Sequence, residues 1–326
     1  MDSILEVRHL KTYFFTRLGV VKAVDDVSFV LRKGECLCLV GESGCGKTTA
    51  ALSILRLVDS PPGRIMAGEI LYQGEDLRRV SDEELRRIRG NRIAMIFQDP
   101  QSSLNPVFPV GDQISEPLRL HLKLKKRPAL ERSQQLMTQV GIPQAEERHR
   151  DYPHQLSGGM KQRVMIALAL SCQPEVIIAD EPTAALDTTI KAQILDILVT
   201  LKQSRELSLL FITHDFGTVS GIADHVAVMY GGKIVESGTR EDIFDHPSHP
   251  YTLGLLNCLP KITGQRGRLT PIPGTIPSLI EPPQGCTFHP RCERCLPICT
   301  KEVPHEVTIS GEHVVACHLY PGGGEG

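Results

Sequence analysis

The sequence predicts an α/β fold with a parallel sheet, and three observations carry that prediction. Four short apolar runs, Glu35 to Val40, Arg92 to Phe97, Val176 to Ala179 and Leu209 to Thr213, have the length of buried strands. Each runs into polar chemistry: a glycine-rich loop at Gly41, then Gln98, the acids Asp180 and Glu181, and His214. After the glycine-rich loop, Ala50 to Val58 reads as a helix, so that loop lies at a strand-to-helix turn. Open α/β sheets bind ligands at the carboxyl ends of their strands, which points all four ends at one pocket.

Length and composition are consistent with this fold and exclude several roles. At 326 residues the chain can bury a core and carry two domains. A net charge of -2 with 23% charged residues is no footprint for nucleic acid. Apolar stretches such as Val164 to Leu170 fall far short of the roughly 20 residues that cross a bilayer. Asp2 and Glu6 stand in a strand-like alternation with no basic region before an apolar block, so the expectation is a cytosolic chain without a signal peptide. Ten cysteines in that setting point to metal or redox chemistry in preference to disulfides.

The loop Gly41-Glu42-Ser43-Gly44-Cys45-Gly46-Lys47-Thr48, continued by Thr49, has the pattern and context of a phosphate-binding P-loop. Its glycines let backbone N–H groups converge, and the following helix adds its positive end. Lys47 is placed to reach the β- and γ-phosphates of ATP, and the Thr48 hydroxyl to hold Mg2+. Asp180 is expected to orient the magnesium shell, and Glu181 to activate the attacking water. Gln98 and His214, polar side chains at two further strand ends, are expected to touch magnesium, water or the γ-phosphate. Cys45, beside Lys47 at a helix start, is expected to be a reactive thiol whose alkylation blocks ATP binding.

Leu156-Ser157-Gly158-Gly159-Met160, followed by Lys161-Gln162-Arg163, resembles the signature motif of the ABC ATPases. With it the other motifs match the family's set across about residues 4 to 245: Walker A at Gly41 to Thr48, the Q-loop at Gln98, Walker B at Asp180 with Glu181, the D-loop at Ala184 to Asp187, and the H-loop at His214. The resemblance implies a P-loop NTPase fold with a RecA-like core, an antiparallel β subdomain, and a helical signature subdomain at about residues 100–170. It implies that Ser157, Gly158 and Gly159 serve ATP bound by an opposite subunit, in a head-to-tail pair. Tyr13 matches the aromatic that stacks on adenine, with Phe14 as its rival. Met160 and Ala184 depart from the commonest residues at their positions, glutamine and serine, without removing a group the chemistry needs.

The stretch from Thr48 to Ser157 is too short for the coiled coils or zinc modules of DNA-repair relatives, and one P-loop argues against translation-associated ones. The segment Ile96 to Leu118 resembles that of dipeptide, oligopeptide and nickel importer ATPases, where it meets the permease. Phe108 and Val110 are its candidate docking residues, and a helix is expected from about Gly111. Beyond His249-Pro250-Tyr251-Thr252, prolines and glycines become dense, as in Pro271-Ile272-Pro273-Gly274, and the expectation is an irregular extension over residues 249–326 after a cassette of residues 1–248. The frame from Gly285 to Cys292 resembles the extension of the same importers and implies a [4Fe-4S] cluster on Cys286, Cys292, Cys299 and Cys317. Four cysteines also suit Zn2+, and spacing alone does not choose between these and metal-free thiols. Cys295 is an alternative for Cys292 or Cys299, and His289 and His313 are weaker substitutes.

Taken together, the resemblance implies an ATP-hydrolysing subunit of a peptide importer, peripheral on the cytoplasmic face of the inner membrane. Its implied partners are a second ATPase subunit, non-identical or, as the alternative, a second copy of the chain, with two permease subunits and an extracytoplasmic solute-binding protein. A nickel importer is the alternative, and a soluble regulatory ATPase a more distant one.

Overall fold

The structure, a computed structural model, describes residues 2–184, 186–205, 207–259 and 272–320. Along the chain run β1 (Ser3–Thr16), β2 (Gly19–Arg32), β3 (Cys36–Val40), α1 (Lys47–Ile54), β4 (Gly63–Tyr72), β5 (Glu75–Asp76), α2 (Asp82–Ile88) and β6 (Ile93–Ile96). Then come α3 (Pro100–Ser103), α4 (Val110–His121), α5 (Lys126–Gln139), α6 (Ala145–Arg148), α7 (Gly158–Ala169), β7 (Val176–Asp180), α8 (Thr188–Arg205) and β8 (Ser208–Thr213). The last are α9 (Phe216–Ile222), β9 (His225–Tyr230), β10 (Lys233–Thr239), α10 (Arg240–Asp245), α11 (Pro250–Asn257), β11 (Glu306–Ser310) and β12 (His313–Ala316). These elements fall into two compact units.

One unit comprises Arg79–Ile212 with Leu31–Glu35 and the residues up to Ile4. In it β6, β7 and β8 pair in parallel, and every residue of β7 is buried, as continuous apolar runs require in a sheet covered on both faces. The region expected to be helical holds five helices between Pro100 and Ala169. In α4, Val110, Ile114 and Leu118 are buried at four-residue spacing, one stripe of an amphipathic helix. Val110 is therefore a core residue and no docking residue, whereas Phe108 and Val107 are exposed just before it. Ser81 and Glu84 close a reciprocal capping box on α2, which holds two otherwise unpaired backbone donors.

The other unit comprises Leu5–Val30, Cys36–Arg78 and the chain from Thr213 on. An antiparallel sheet of order β2-β1-β4-β5 supplies the expected β subdomain. Alongside it β3 pairs in parallel with β9, and β9 continues through β10 and β12 to β11 by antiparallel pairing. The C-terminal extension is thus less irregular than expected. The β-branched Val307 and Thr308 pair with Val315 and Val314 across a hairpin turned at Gly311, and β12 joins the sheet through Glu236↔Val315 and Ser237↔Val314. His313 locks that edge, its Nε2 lying 2.8 Å from the buried Glu236 carboxylate. Pro271 of the proline-rich stretch and Ala185 of the D-loop lie outside the described residues.

Candidate nucleotide site

The glycine-rich loop follows β3 directly and leads into α1, which begins at Lys47, three residues earlier than the apolar pattern alone suggests. It ends at Ile54 instead of Val58, and Arg56 just beyond takes a positive φ of 51°. A Cβ on Gly46 would lie 2.0 Å from the Ala23 carbonyl, so no other residue fits there. Gly44, at φ +83°, faces open space, where a ligand can approach its backbone. Ser43 and Thr48 are exposed and Thr49 half-exposed. Lys47 is buried, and its Nζ donates to the carbonyls of Gly41 at 2.7 Å and Glu42 at 3.0 Å. The lysine is thus folded back across its own loop.

The same packing corrects the expectation for Cys45. The thiol is fully buried, and burial raises its pKa, outweighing the opposing pull of Lys47, whose Nζ is 3.8 Å away. A protonated, inaccessible thiol is a poor nucleophile. Cys45 is a packing residue of the loop.

Glu42 is held on every side. Its N–H donates to the Tyr251 hydroxyl at 2.9 Å, and its carboxylate receives two bonds from Arg291, at 2.6 and 3.1 Å. Both partners come from beyond residue 248. Tyr251 is the second residue of α11, where Pro250 takes the first helical position and the His249 side chain accepts the Tyr251 N–H. Tyr230, Tyr251, His249 and Phe288 form an aromatic cluster around this point, with ring centroids 4.6 to 5.6 Å apart. No motif or periodicity in the sequence marks Arg291 or Tyr251 as a neighbour of the loop.

Burial in that cluster lowers the pKa of His249 from the usual 6.5 to about 3. The unfolded chain takes up this proton below pH 6.5 and the folded one does not, so the unfolded state binds more protons and stability falls as pH falls from 6.5 toward 3. The loss is about 1.4 kcal/mol per pH unit. His249→Asn keeps a capping acceptor, and its unfolding free energy between pH 6 and 4 is expected to fall less steeply than wild type by about that slope. Urea titrations at each pH measure it; parallel profiles would contradict the assignment.

Tyr13 donates its hydroxyl to Asp25 at 2.6 Å, and burial with this bond raises the phenol's pKa. Tyr13 and Phe14 are both half-exposed, Phe14 lying beside Gly63. His214 is exposed at the end of β8.

In the first unit, Asp180 ends β7 and is buried, and Glu181 follows with a φ of 44°, in the left-handed region. Such backbone costs of order 1–3 kcal/mol in a residue with a Cβ and persists only where neighbours enforce it. The Glu181 N–H bonds to the Ile212 carbonyl at 2.9 Å, and its own carbonyl accepts from Ala184 at 3.2 Å. Gln98, exposed at the end of β6, donates to the Glu181 carboxylate at 3.1 Å. The structure therefore brings Gln98 and Glu181 together, as the strand ends suggested. Ser157 caps α7, accepting the Met160 N–H at 3.3 Å. Gly159 packs against Ile190, but a Cβ on Gly158 would meet nothing within 4 Å.

In the extension, Cys286, Cys299 and Cys317 are buried, Cys292 is half-buried and Cys295 exposed, all as free thiols. The Cys286 N–H bonds to the Cys299 carbonyl at 2.9 Å, and β12 ends immediately before Cys317. Burial pushes the Cys286 thiol up to about 11, reinforced by Cys299, Cys317 and Cys292. Burial and neighbouring thiols also raise Cys292 and Cys317. Electrostatic coupling reaches further than a metal–ligand bond. Among the described residues no three His, Cys, Asp or Glu side chains stand close enough to hold a metal ion. The four cysteines share a neighbourhood without forming a coordination sphere.

Residues 24–184 match the ABC transporter family, and residues 235–299 match the oligopeptide/dipeptide transporter C-terminal region. The fold is also that of a dimeric ATP-binding cassette, MJ0796, solved with ADP and phosphate (TM-score 0.66, 24% identity, 72% of this chain and 98% of that one). A cassette of Clostridium perfringens described as part of an ABC transporter complex is similar as well (TM-score 0.63, 27% identity, 76% and 92% covered). These matches show an ABC-type ATPase. Over 98% of its length the chain is 48% identical to the dipeptide transport ATP-binding protein DppD of Bacillus subtilis, covering 95% of that protein. The oligopeptide transport ATP-binding protein AppD of the same organism is also 48% identical, with 98% of each chain covered. The chain belongs to the dipeptide/oligopeptide family of ABC transporter ATP-binding subunits.

Proposed function

We propose that the chain hydrolyses ATP to drive import of di- and oligopeptides through a membrane permease. The observation that carries this is near-full-length similarity, extension included, to ATP-binding proteins named for dipeptide and oligopeptide transport. Among the described residues no helix is long and apolar enough to cross a membrane, and in this reading the translocation path belongs to other subunits. The chain then sits on the cytoplasmic face of the membrane, with two permease subunits, a second ATPase subunit and an extracytoplasmic solute-binding protein as partners. Exposed Phe97, Val107 and Phe108, around the start of the segment after Gln98, supply an apolar surface for permease helices.

In this reading the cassette comprises residues 1–248 and the extension residues 249–326. The loop from Gly41 to Thr49 wraps the phosphates, with Lys47 leaving its loop carbonyls for the β- and γ-phosphates, and Tyr13 lies under adenine. Thr48, Asp180 and Gln98 would hold Mg2+, which would supply neutralising charge to the phosphates. Glu181 takes the proton of the attacking water, His214 contacts the γ-phosphate, and Ser157, Gly158 and Gly159 offer N–H groups and a hydroxyl to ATP on the opposite subunit. The thiols of Cys286, Cys292, Cys299 and Cys317 would have to close up from their positions in this structure to hold a [4Fe-4S] cluster or zinc, either of which would cross-link the extension. Anaerobically purified protein is brown under the first assignment and colourless with one zinc under the second.

The transport reading is tested by reconstituting the chain with a peptide permease, a partner ATPase subunit and a peptide-binding protein. ATP turnover is expected to rise when the binding protein carries peptide. Stimulation by nickel alone would move the cargo to a metal, and full activity of the chain without any permease would point to a soluble ATPase.

A further inference from the structure

The phosphate loop carries one acidic side chain, Glu42, in the stretch that is to receive a polyanion. Left unpaired, a carboxylate there opposes the incoming phosphates, and it does so more strongly in a half-buried setting than in water. It is not left unpaired. The Arg291 guanidinium meets it fork to fork, at 2.6 and 3.1 Å, the geometry in which arginine binds carboxylate most firmly. The arginine side chain is only 4% exposed. Its Nε donates to the Pro273 carbonyl at 2.8 Å, and its guanidinium lies over the Tyr230 ring, 5.7 Å from the centroid. The extension thus fixes the arginine before any nucleotide arrives.

We propose that Arg291 is a positioning residue for ATP binding: from the C-terminal extension it neutralises the Glu42 carboxylate, which would otherwise repel the incoming phosphates. The bond from the Glu42 N–H to Tyr251 and that from Lys47 to the Glu42 carbonyl complete the hold on this one loop residue. The extension is thereby part of the nucleotide site, even though it carries none of the phosphate-binding motifs. This inference rests on the phosphate-loop reading of Gly41 to Thr48.

A buried ion pair can serve folding alone, and the test separates the two roles by sign. Arg291→Ala and Glu42→Gln break the same pair, so a purely structural role has both weaken ATP binding. Electrostatic positioning has them diverge. With Arg291→Ala the bare carboxylate raises the Kd for Mg-ATP by about tenfold, the order expected of one poorly screened charge. With Glu42→Gln the bare guanidinium lowers it by about two- to threefold. The double variant Glu42→Gln/Arg291→Ala returns to within about twofold of wild type. Titration calorimetry of the full-length variants reads all three, with melting curves to confirm folding. Weakening by both single variants, or no change with Arg291→Ala, would overturn the proposal. Should Arg291→Ala not fold, Glu42→Gln is compared with Glu42→Gln/Arg291→Met, and equal affinities overturn it. Lys47→Ala serves as a separate control: unchanged ATP binding there would remove the phosphate-loop reading itself.

Discussion

Glu181→Gln is expected to bind ATP with near wild-type affinity and to lose about 10² to 10⁴ of its turnover, the usual cost of a missing general base. That corresponds to roughly 3 to 5.5 kcal/mol of barrier. The loss is specific to chemistry because the amide keeps the shape of the side chain and an oxygen to accept from Gln98, now 3.1 Å from the carboxylate. Nothing in the backbone hold on residue 181 depends on the charge: the bonds to Ile212 and Ala184 are main-chain ones. The positive φ at this residue is therefore retained, and with it the direction of the side chain. Phosphate release and equilibrium nucleotide binding measured on the same preparation decide the matter. Wild-type turnover would end the assignment of Glu181 as base.

Gly158→Asp is the second large effect. Gly158 is exposed at the N-terminal end of α7, where unpaired N–H groups and the positive end of the helix favour an anion. A Cβ there meets nothing within 4 Å among the described residues, so the fold should be unaffected and the melting temperature unchanged. An aspartate fills that space with negative charge and competes for the N–H groups. In the assembled transporter, ATP turnover is expected to fall by about 10² to 10³, the order seen when charge-stabilising donors are lost. The variant chain's own ATP affinity is expected to stay within about twofold, because its phosphate loop is untouched. A variant that melts as wild type and hydrolyses as wild type would show that α7 faces no phosphate.

Much of this site was legible in the sequence for a simple reason. Buried parallel strands read as short unbroken apolar runs, and the residue after such a run lies at the ligand edge of the sheet. Gln98, Asp180, Glu181 and His214 could be placed that way without coordinates, and the capping role of Ser157 agrees with its position before a helix. Other features were illegible because they depend on surroundings. Cys45 has the neighbours of an activated thiol, but burial, which no local pattern reports, raises its pKa. Val110 is a plausible surface residue in a proline-rich segment, and only the packing of α4 buries it. The hairpin of β11 and β12 is short and lies in a stretch dense in proline, glycine and cysteine, a composition that masks its β-branched residues.

The sequence by itself determined the ATP chemistry, since phosphate binding, magnesium binding and water activation each need particular groups at particular strand and helix ends. The membership of the peptide-transporter family is also written in the chain, in its matches at residues 24–184 and 235–299. Tertiary structure alone decided that the extension reaches the phosphate loop. Arg291 and Glu42 are 249 positions apart, and no periodicity or spacing encodes a contact at that distance. It exists because Tyr230, Tyr251 and Phe288 bury their rings together and carry the arginine to the loop, a packing outcome set by the whole fold.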